Sequence, residues 1–108
     1  MNIVNLTPHA ISLNVGDVTT VFPASGTVAR VSQVCVPTRD EIRGALVYSS
    51  TFGEVDMPGK ESSTVYIVSG MVLTALAGCR SDVIAPKTDS TAIRNDQGQI
   101  VAVTRWLQ

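Results

Sequence analysis

The sequence predicts an α+β fold that is mostly β: an antiparallel sheet or partial barrel of about five to seven strands with one short packed helix. Short segments rich in Val and Ile alternate with clusters of turn residues along the chain. Only one segment repeats its apolar residues at helical spacing. The chain has 108 residues, the length of one domain, so residues 1–108 are expected to share a single core.

The first apolar segments are predicted to form short strands joined by tight turns. Residues 3–6 and 10–13 are apolar-rich and are separated by Thr7-Pro8-His9. Because Pro8 has no N–H to donate to a neighbouring strand, this break is an edge, a bulge or a turn. The turn residues of Asn14-Val15-Gly16-Asp17 then lead into a strand over residues 18–22.

The middle of the chain is predicted to contain a long strand, a polar connection and a loop. The turn Pro23-Ala24-Ser25-Gly26 precedes a strand over residues 27–36, so that two consecutive hairpins form a meander. Residues 37–44 are polar and predict a helix start or an irregular loop. Residues 45–50 form another strand, and residues 51–63, rich in Gly, Pro, Ser and Glu, form a loop.

The predicted helix lies in the last part of the chain. Residues 64–68 form a strand, after which Ser69 caps a helix over residues 70–77 that ends with Gly78 in the left-handed conformation. Residues 83–86 and 99–107 are predicted to form two further strands. Residues 87–95 form a polar connection between them, and Asn95-Asp96-Gln97-Gly98 form a strong turn before the second strand.

Composition and charge disfavour several classes of function. Eight Lys plus Arg residues, against nine Asp plus Glu, are scattered singly, whereas binding to a nucleic acid duplex needs a basic stripe. The longest apolar run, around residues 71–77, is far shorter than the roughly 20 residues that span a bilayer. Cys35 and Cys79 are expected to be buried, reduced thiols, because no signal peptide precedes them; one disulfide is the alternative. We therefore expect a cytoplasmic protein without a membrane or duplex partner.

The chain lacks the motifs of common catalytic and metal sites. A serine or cysteine hydrolase needs a nucleophile, a base and an orienting acid, and His9 is the single histidine. The G-x-S-x-G elbow and the Walker-type and Rossmann glycine motifs are absent. His, Cys and carboxylates do not have the spacing of a zinc site. The sequence therefore favours a binding module without metal or cofactor, although any two of its carboxylates could converge in the fold.

Eight residues carry side chains that recognise phosphates or bases without transforming them: His9, Arg30, Phe52, Ser69, Arg94, Asn95, Arg105 and Trp106. Arg binds phosphate through a forked pair of hydrogen bonds, an Asn amide can read an adenine edge, and Phe or Trp can stack on a base. Arg94-Asn95 and Arg105-Trp106 lie on the two sides of one predicted hairpin, so we expect them to act together.

Three of these residues also have a structural interpretation within the predicted sheet. The ring of His9 can be fixed by a backbone carbonyl or by the Thr7 hydroxyl, or it can contact a ligand near the sheet edge. Arg30 can lie at an edge with its charged head in water, or at the floor of a shallow pocket. Phe52 can cover the edge of the core, or close from a loop over a base.

Two further residues can likewise have either a structural role or a role in ligand binding. Ser69 can act as a helix cap alone, or its helix start can also receive a phosphate. Arg105 shares a strand face with aliphatic residues and needs a partner there. That partner is either a ligand or Asp82, in a structural ion pair.

The opening Met1-Asn2-Ile3-Val4-Asn5-Leu6-Thr7-Pro8-His9-Ala10-Ile11 resembles small proteins that are common in bacterial genomes, prophages and phages. The resemblance continues through Tyr66-Ile67-Val68-Ser69, Asp82-Val83-Ile84-Ala85-Pro86 and Arg94-Asn95-Asp96-Gln97-Gly98-Gln99-Ile100. In size, in β-rich layout and in its C-terminal Asn and Arg residues, the chain is also similar to the Thoeris anti-defence proteins of phages.

This resemblance implies a non-enzymatic protein that sequesters a nucleotide-derived signal of the cyclic ADP-ribose type and so blocks anti-phage immunity in the host cytoplasm. Proteins of that family are dimers that hold the ligand with Arg, Asn and aromatic side chains. By residue type and rough position, the matching residues here are Arg30, Asn95 and Arg105, with Phe52 or Trp106 as the stacking ring.

Two other functions stay open. The first is a hydrolase of a nucleotide or ADP-ribose derivative, with His9 or Asp82 as the acid–base group. The second is a phage structural or protein-interaction module that pairs an exposed sheet edge with a strand of its partner.

Overall fold

A computed structural model describes residues 1–108 as ten strands and one helix. Their bounds are β1 (Asn2–Asn5), β2 (Ile11–Val15), β3 (Val18–Phe22), β4 (Arg30–Ile42), β5 (Ala45–Asp56), β6 (Thr64–Ile67), α1 (Gly70–Leu76), β7 (Val83–Pro86), β8 (Ile93–Arg94), β9 (Ile100–Ala102) and β10 (Trp106–Leu107). The predicted class, α+β and mostly β, is confirmed. The sheets are antiparallel and mixed, and they do not close into a barrel.

The largest sheet has four strands in the order β1-β6-β7-β10. The chain passes from β6 through α1 to β7, and this crossover makes the two strands parallel. β1 is also parallel to β6, whereas β10 runs antiparallel to β7. β6 and β7 lie in the middle of this sheet, and Ile67, Val83 and Ala85 on them are fully buried, as expected for central parallel strands.

The helix α1 packs against this sheet and closes the core. Val72 on the helix is buried with Leu6, Tyr66 and Val83 from the sheet side. As predicted, Ser69 caps the helix, with its hydroxyl accepting a hydrogen bond of 3.3 Å from the Val72 N–H. The helix ends one residue earlier than predicted, because Ala77 already has the left-handed conformation that was expected of Gly78.

Three two-stranded antiparallel sheets surround the four-stranded one: β2–β3, β4–β5 and β8–β9. The predicted hairpin turns at residues 14–17 and 95–98 are present. The single closing strand predicted over residues 99–107 is wrong, because Val103 bonds to β2 and Trp106 instead pairs with β7. The chain therefore changes partner within this segment and forms two short strands, β9 and β10.

Strands β4 and β5 form a long ribbon, residues 30–56, which we call the β-arm. Two predictions are therefore wrong: that residues 37–44 form a helix start or a loop, and that the loop begins at residue 51. Residues 37–42 belong to β4, and residues 51–56 belong to β5. The polar residues 38–40 form a bulge in β4, where the Thr38 hydroxyl donates to the Val47 carbonyl at 2.7 Å. The arm turns at Arg43 and Gly44, both with positive φ, as a two-residue hairpin requires.

The side-chain amide of Asn5, 2% exposed, holds the first turn of the chain together. Its nitrogen donates to the carbonyl of His9 at 2.8 Å and to that of Phe22 at 2.9 Å. Its oxygen accepts from the Thr7 N–H at 2.9 Å, and the Thr7 hydroxyl lies 2.7 Å away. This one amide therefore shapes the Thr7-Pro8-His9 turn and joins the end of β1 to the end of β3.

The two cysteines are free and exposed, which corrects the prediction of buried thiols. Cys35 lies on the β-arm, which extends beyond the core, and Cys79 follows the end of α1. Both therefore lie outside the part of the fold where apolar side chains are buried. No disulfide joins them.

We predict that Asn5→Ala lowers the free energy of unfolding by about 2–4 kcal/mol, because it removes four hydrogen bonds, including the two buried ones from the Thr7 N–H and hydroxyl. Urea unfolding followed by circular dichroism measures the change. The matched control is Asn14→Ala, whose amide makes one exposed hydrogen bond of 3.5 Å; it should cost less than about 0.5 kcal/mol. Equal losses in the two variants would contradict the role given to Asn5.

Candidate functional site

The eight residues predicted to bind a ligand are distributed over separate parts of the fold. Arg30 and Phe52 lie on the β-arm, Ser69 at the start of α1, and Arg94 in the β8–β9 hairpin. None of the eight lines either of the two cavities in the surface. Within one copy of the chain, the structure does not gather them into a pocket.

The side chains of Arg94 and Asn95 are both engaged within their own hairpin. The Arg94 guanidinium donates to the carbonyl of Gly98 at 2.8 Å and to that of Thr88 at 3.4 Å. The Asn95 carboxamide oxygen accepts from the N–H groups of Gln97 and Gln99, at 2.9 and 3.0 Å. These bonds stabilise the turn predicted at residues 95–98 and occupy the groups that a ligand would need.

Arg105 and Trp106 do not belong to that hairpin, so the prediction that they and Arg94-Asn95 lie on its two sides is wrong. They lie where the chain has turned to β10, and Trp106 is paired with Pro86 of β7. The half-buried Trp106 ring packs edge-on against Phe22, with ring centroids 5.8 Å apart. The Arg105 side chain is exposed and belongs to neither ion pair of the chain.

His9 and Ser69 have mainly structural roles in the fold. The backbone carbonyl of His9, and not its ring, accepts the hydrogen bonds from Asn5 and Thr7. The predicted ring contact with Thr7 is therefore wrong, and the exposed imidazole makes no hydrogen bond within the chain. Ser69 caps a helix of seven residues, which has one buried side chain, Val72.

Asp82 pairs with Arg80 and not with Arg105, which corrects the predicted structural ion pair. Both Asp82 oxygens accept from the Arg80 guanidinium, at 3.0 Å from Nε and 2.7 Å from the terminal nitrogen. Arg80 also donates to the Pro58 carbonyl at 2.9 Å and lies 5.7 Å from the centre of the Tyr66 ring. The pair therefore fastens the loop after β5 to the central sheet.

Hydrogen bonding from Arg80 lowers the pKa of Asp82 below its ordinary value, although burial opposes this effect. The same bond raises the pKa of Arg80. Because both Asp82 oxygens are occupied by the guanidinium, this carboxylate is poorly placed to exchange protons with a substrate. The sequence did not predict a role for Arg80. The position of Arg80 two residues before Asp82, in a short loop, is the feature of the sequence that could have indicated the pair.

A second acidic residue, Asp89, has a strongly lowered pKa. The causes are hydrogen bonds from Lys87 and Thr91, of which the Thr91 hydroxyl lies 2.7 Å from the carboxylate. This cluster lies at the surface and its bonds all fall within residues 87–91, so it orders the connection between β7 and β8. No group of His, Cys, Asp and Glu side chains has the arrangement of a metal site.

The two cavities are shallow and have few charged groups. The larger, about 490 Å³, lies beyond the end of α1 and has Arg80 and Gln108 in its wall. The Arg80 side chain there is committed to Asp82 and Pro58. The smaller, about 190 Å³, is mainly apolar and lies between β2 and β9. Neither offers a free cation for a phosphate.

The β-arm carries the most conspicuous exposed apolar surface of the chain. Its six large apolar side chains that are at least 42% exposed are Val34, Val36, Ile42, Leu46, Tyr48 and Phe52. Leu46, Tyr48 and Phe52 alternate along β5 with period two and therefore lie on one face of the ribbon. This periodicity is the signal in the sequence that residues 51–56 continue a strand.

The helix of seven residues is too short to cross a membrane.

We predict that the Arg80–Asp82 pair contributes stability that is complete above the ordinary carboxyl pKa of 3.8 and is lost as the pH falls through the lower pKa of folded Asp82. Asp82→Asn should lower the unfolding free energy at pH 7 by about 1–3 kcal/mol and should remove this part of the acid dependence. Urea unfolding at pH values from 7 down to 2 measures both effects. The control is Asp17→Asn, an exposed carboxylate outside both ion pairs. An unchanged acid dependence in Asp82→Asn would refute the assignment.

Comparison with protein-family models, with curated proteins and with solved structures gave no match to this chain. The fold and its surfaces therefore carry the functional argument alone. Among those surfaces, the β-arm combines length, exposure and apolar character, whereas the predicted ligand-binding residues are separated or engaged in structural bonds.

Proposed function

We propose that this protein is a non-enzymatic interaction module that assembles with copies of itself through its β-arm. The observation that carries the proposal is the set of six exposed apolar side chains on the arm, three on each face of the ribbon: Val34, Val36 and Ile42 on one face, and Leu46, Tyr48 and Phe52 on the other. Apolar side chains gain free energy when another surface removes them from water. A monomer would leave both faces of the arm in water, whereas exposed apolar patches commonly mark interaction sites.

The shape of the chain supports this proposal. Its radius of gyration is 16.9 Å, and its extents are 54 × 39 × 23 Å. A compact domain of this length has a radius of gyration of about 13 Å. The difference reflects the arm, whose strand β5 alone, with twelve residues, spans about 40 Å.

The accessible surface supports it as well. The chain exposes 7410 Å², whereas a compact monomer of 11.4 kDa exposes about 5,800 Å². The excess, about 1,600 Å², is more than the roughly 800 Å² that each partner buries in a protein–protein interface of standard size. One interface of standard size on the arm would therefore remove about half of this excess.

The stability of the arm also favours a partner. An isolated two-stranded ribbon is marginally stable in water, and three or more strands with an apolar face are needed for independent stability. Only the base of the β-arm is anchored, where Val31 and Val55 pack against the core. The outer part, around Pro37 and Tyr48, has no second layer within its own chain.

We predict that the purified protein sediments as a dimer or higher homo-oligomer, and that Tyr48→Lys weakens self-association at least about tenfold because it places a charge in the interface. Sedimentation velocity over a hundredfold range of concentration measures this. Thr19→Lys, on the exposed face of β3, is the matched control and should leave the mass unchanged. Circular dichroism confirms that each variant is folded. A wild-type protein that is monomeric at every concentration would contradict the proposal.

As a second candidate, we propose that the assembled protein sequesters a nucleotide-derived signal of the cyclic ADP-ribose type in the host cytoplasm. Two observations support it. The Arg105 guanidinium is exposed and has no ionic partner within the chain. Arg30 and Phe52 both lie on the β-arm, the element assigned here to the interface. Assembly could therefore unite residues that one copy holds apart.

We predict for this second candidate that the protein depletes one compound from a panel of cyclic nucleotides and ADP-ribose isomers, and that heating releases it intact. Mass spectrometry of the filtrate measures both steps. Arg105→Ala should lose the depletion, and Arg39→Ala, an exposed arginine of the arm outside the predicted set, should keep it. A compound that returns altered would indicate a hydrolase instead, and an untouched panel would refute ligand binding.

A further inference from the structure

We infer that two copies pair through the outer edge of β5, so that residues 45–53 of one copy run antiparallel to the same residues of the other about a two-fold axis at Ser49. The inference rests on the proposed function and specifies its interface. The two ribbons together would form a four-stranded antiparallel sheet across the two-fold axis.

Both strands of the β-arm have an unpaired outer edge. β4 and β5 bond only to each other, as a sheet of two strands. Each outer edge therefore presents backbone N–H and C=O groups that can accept a strand from another molecule. The question is which of the two edges is open to such pairing.

The outer edge of β4 is interrupted. Pro37 has no N–H to donate, and the register shift after it places a bulge at residues 38–40. The same segment carries the charged residues Arg39, Asp40 and Glu41. Proline, bulges and charges are the features that block pairing at a sheet edge.

The outer edge of β5 has none of these features over most of its length. Residues 45–52 contain no proline, no charged side chain and no bulge, and the five residues 48–52 keep an unbroken register with β4. The first charged residue is Glu54, which lies in the register shift near the base of the arm. β5 is therefore the edge that can accept another strand.

The same segment is complementary to itself. A two-fold axis perpendicular to a sheet sets residues opposite each other on the same face. With the axis at Ser49, the midpoint of the uncharged residues 45–53, Leu46 lies opposite Phe52 of the second copy and Tyr48 lies opposite Ser50. No charged side chain is opposed by a like charge, and apolar pairs occupy both ends.

The direction of the backbone groups agrees with this register. The Val47 carbonyl accepts from Thr38 and therefore points toward β4. Because backbone groups alternate in direction along a strand, those of Tyr48 and Ser50 point outward and those of Ser49 point toward β4. With the axis at Ser49, the outward groups of Tyr48 meet those of Ser50 of the second copy. Ser49 itself then occupies a non-hydrogen-bonded position, where opposed side chains are closest.

A cysteine cross-linking experiment tests the edge and the register together. In a Cys35→Ser, Cys79→Ser background, Ser49→Cys should form an intermolecular disulfide under mild oxidation, since opposed Cβ atoms about 5 Å apart are within reach of one. The matched control is Cys79→Ser, which retains Cys35 on β4. In the paired sheet the Cys35 residues of the two copies are about 14 Å apart, across three strand spacings, and should not cross-link. Intact mass spectrometry without reductant gives the dimer fraction, expected to be several-fold higher for Ser49→Cys.

The outcomes separate this inference from the proposed function. A disulfide through Cys35 and none through Ser49→Cys would assign the interface to β4 and overturn the inference, while self-association through the arm would stand. If the protein self-associates but neither Cys35 nor Ser49→Cys forms an intermolecular disulfide, the inference is also wrong. A monomeric mass for the wild type and for both cysteine variants would refute the proposed function itself.

Discussion

The fold depends on one buried side chain, the amide of Asn5, because its four hydrogen bonds join the end of β1 to the Thr7-Pro8-His9 turn and to the end of β3. The amide bonds to Thr7, to the His9 carbonyl and to the Phe22 carbonyl. These bonds fix where the chain leaves β1 and where β3 ends. Next to them, the fully buried Leu6 exchanges backbone bonds with Ile67 and Ala29. The first strand is thereby held beside β6 at the point where the chain approaches the β-arm.

The sequence predicts those elements whose causes are local. Ser69 caps α1 and the residues 95–98 form their turn because their bonding partners lie within four residues. The arm was missed because Pro37 and the polar residues after it resemble a loop, and an edge bulge tolerates both. The Arg80–Asp82 pair was missed although its residues are close in sequence, because the burial of Asp82 and the bond from Arg80 to the distant Pro58 carbonyl exist only in the folded chain. Tertiary contacts decided both cases.

The functional account follows from the division of the molecule into a small core and a projecting ribbon. Of the side chains that could recognise a phosphate, Arg94 is held in structural bonds, while Arg30 and Arg105 lie in separate parts of the fold. The apolar side chains of the arm, such as Tyr48, are instead left in water. Pairing with a second copy would widen the two-stranded ribbon to four strands and cover part of those side chains, which would stabilise the arm. The core can then be regarded as the scaffold that orients the arm for assembly.

Amide hydrogen exchange of β5 in the wild-type protein, measured by NMR at high and low concentration, tests the central claim most directly. In the assembled protein, the outward N–H groups of Tyr48 and Ser50 should exchange as slowly as that of Ser49, which faces β4. On dilution, the Tyr48 and Ser50 amides should lose their protection first. Fast exchange of both amides at every concentration, beside a protected Ser49, would show that the edge stays in water and would contradict the account.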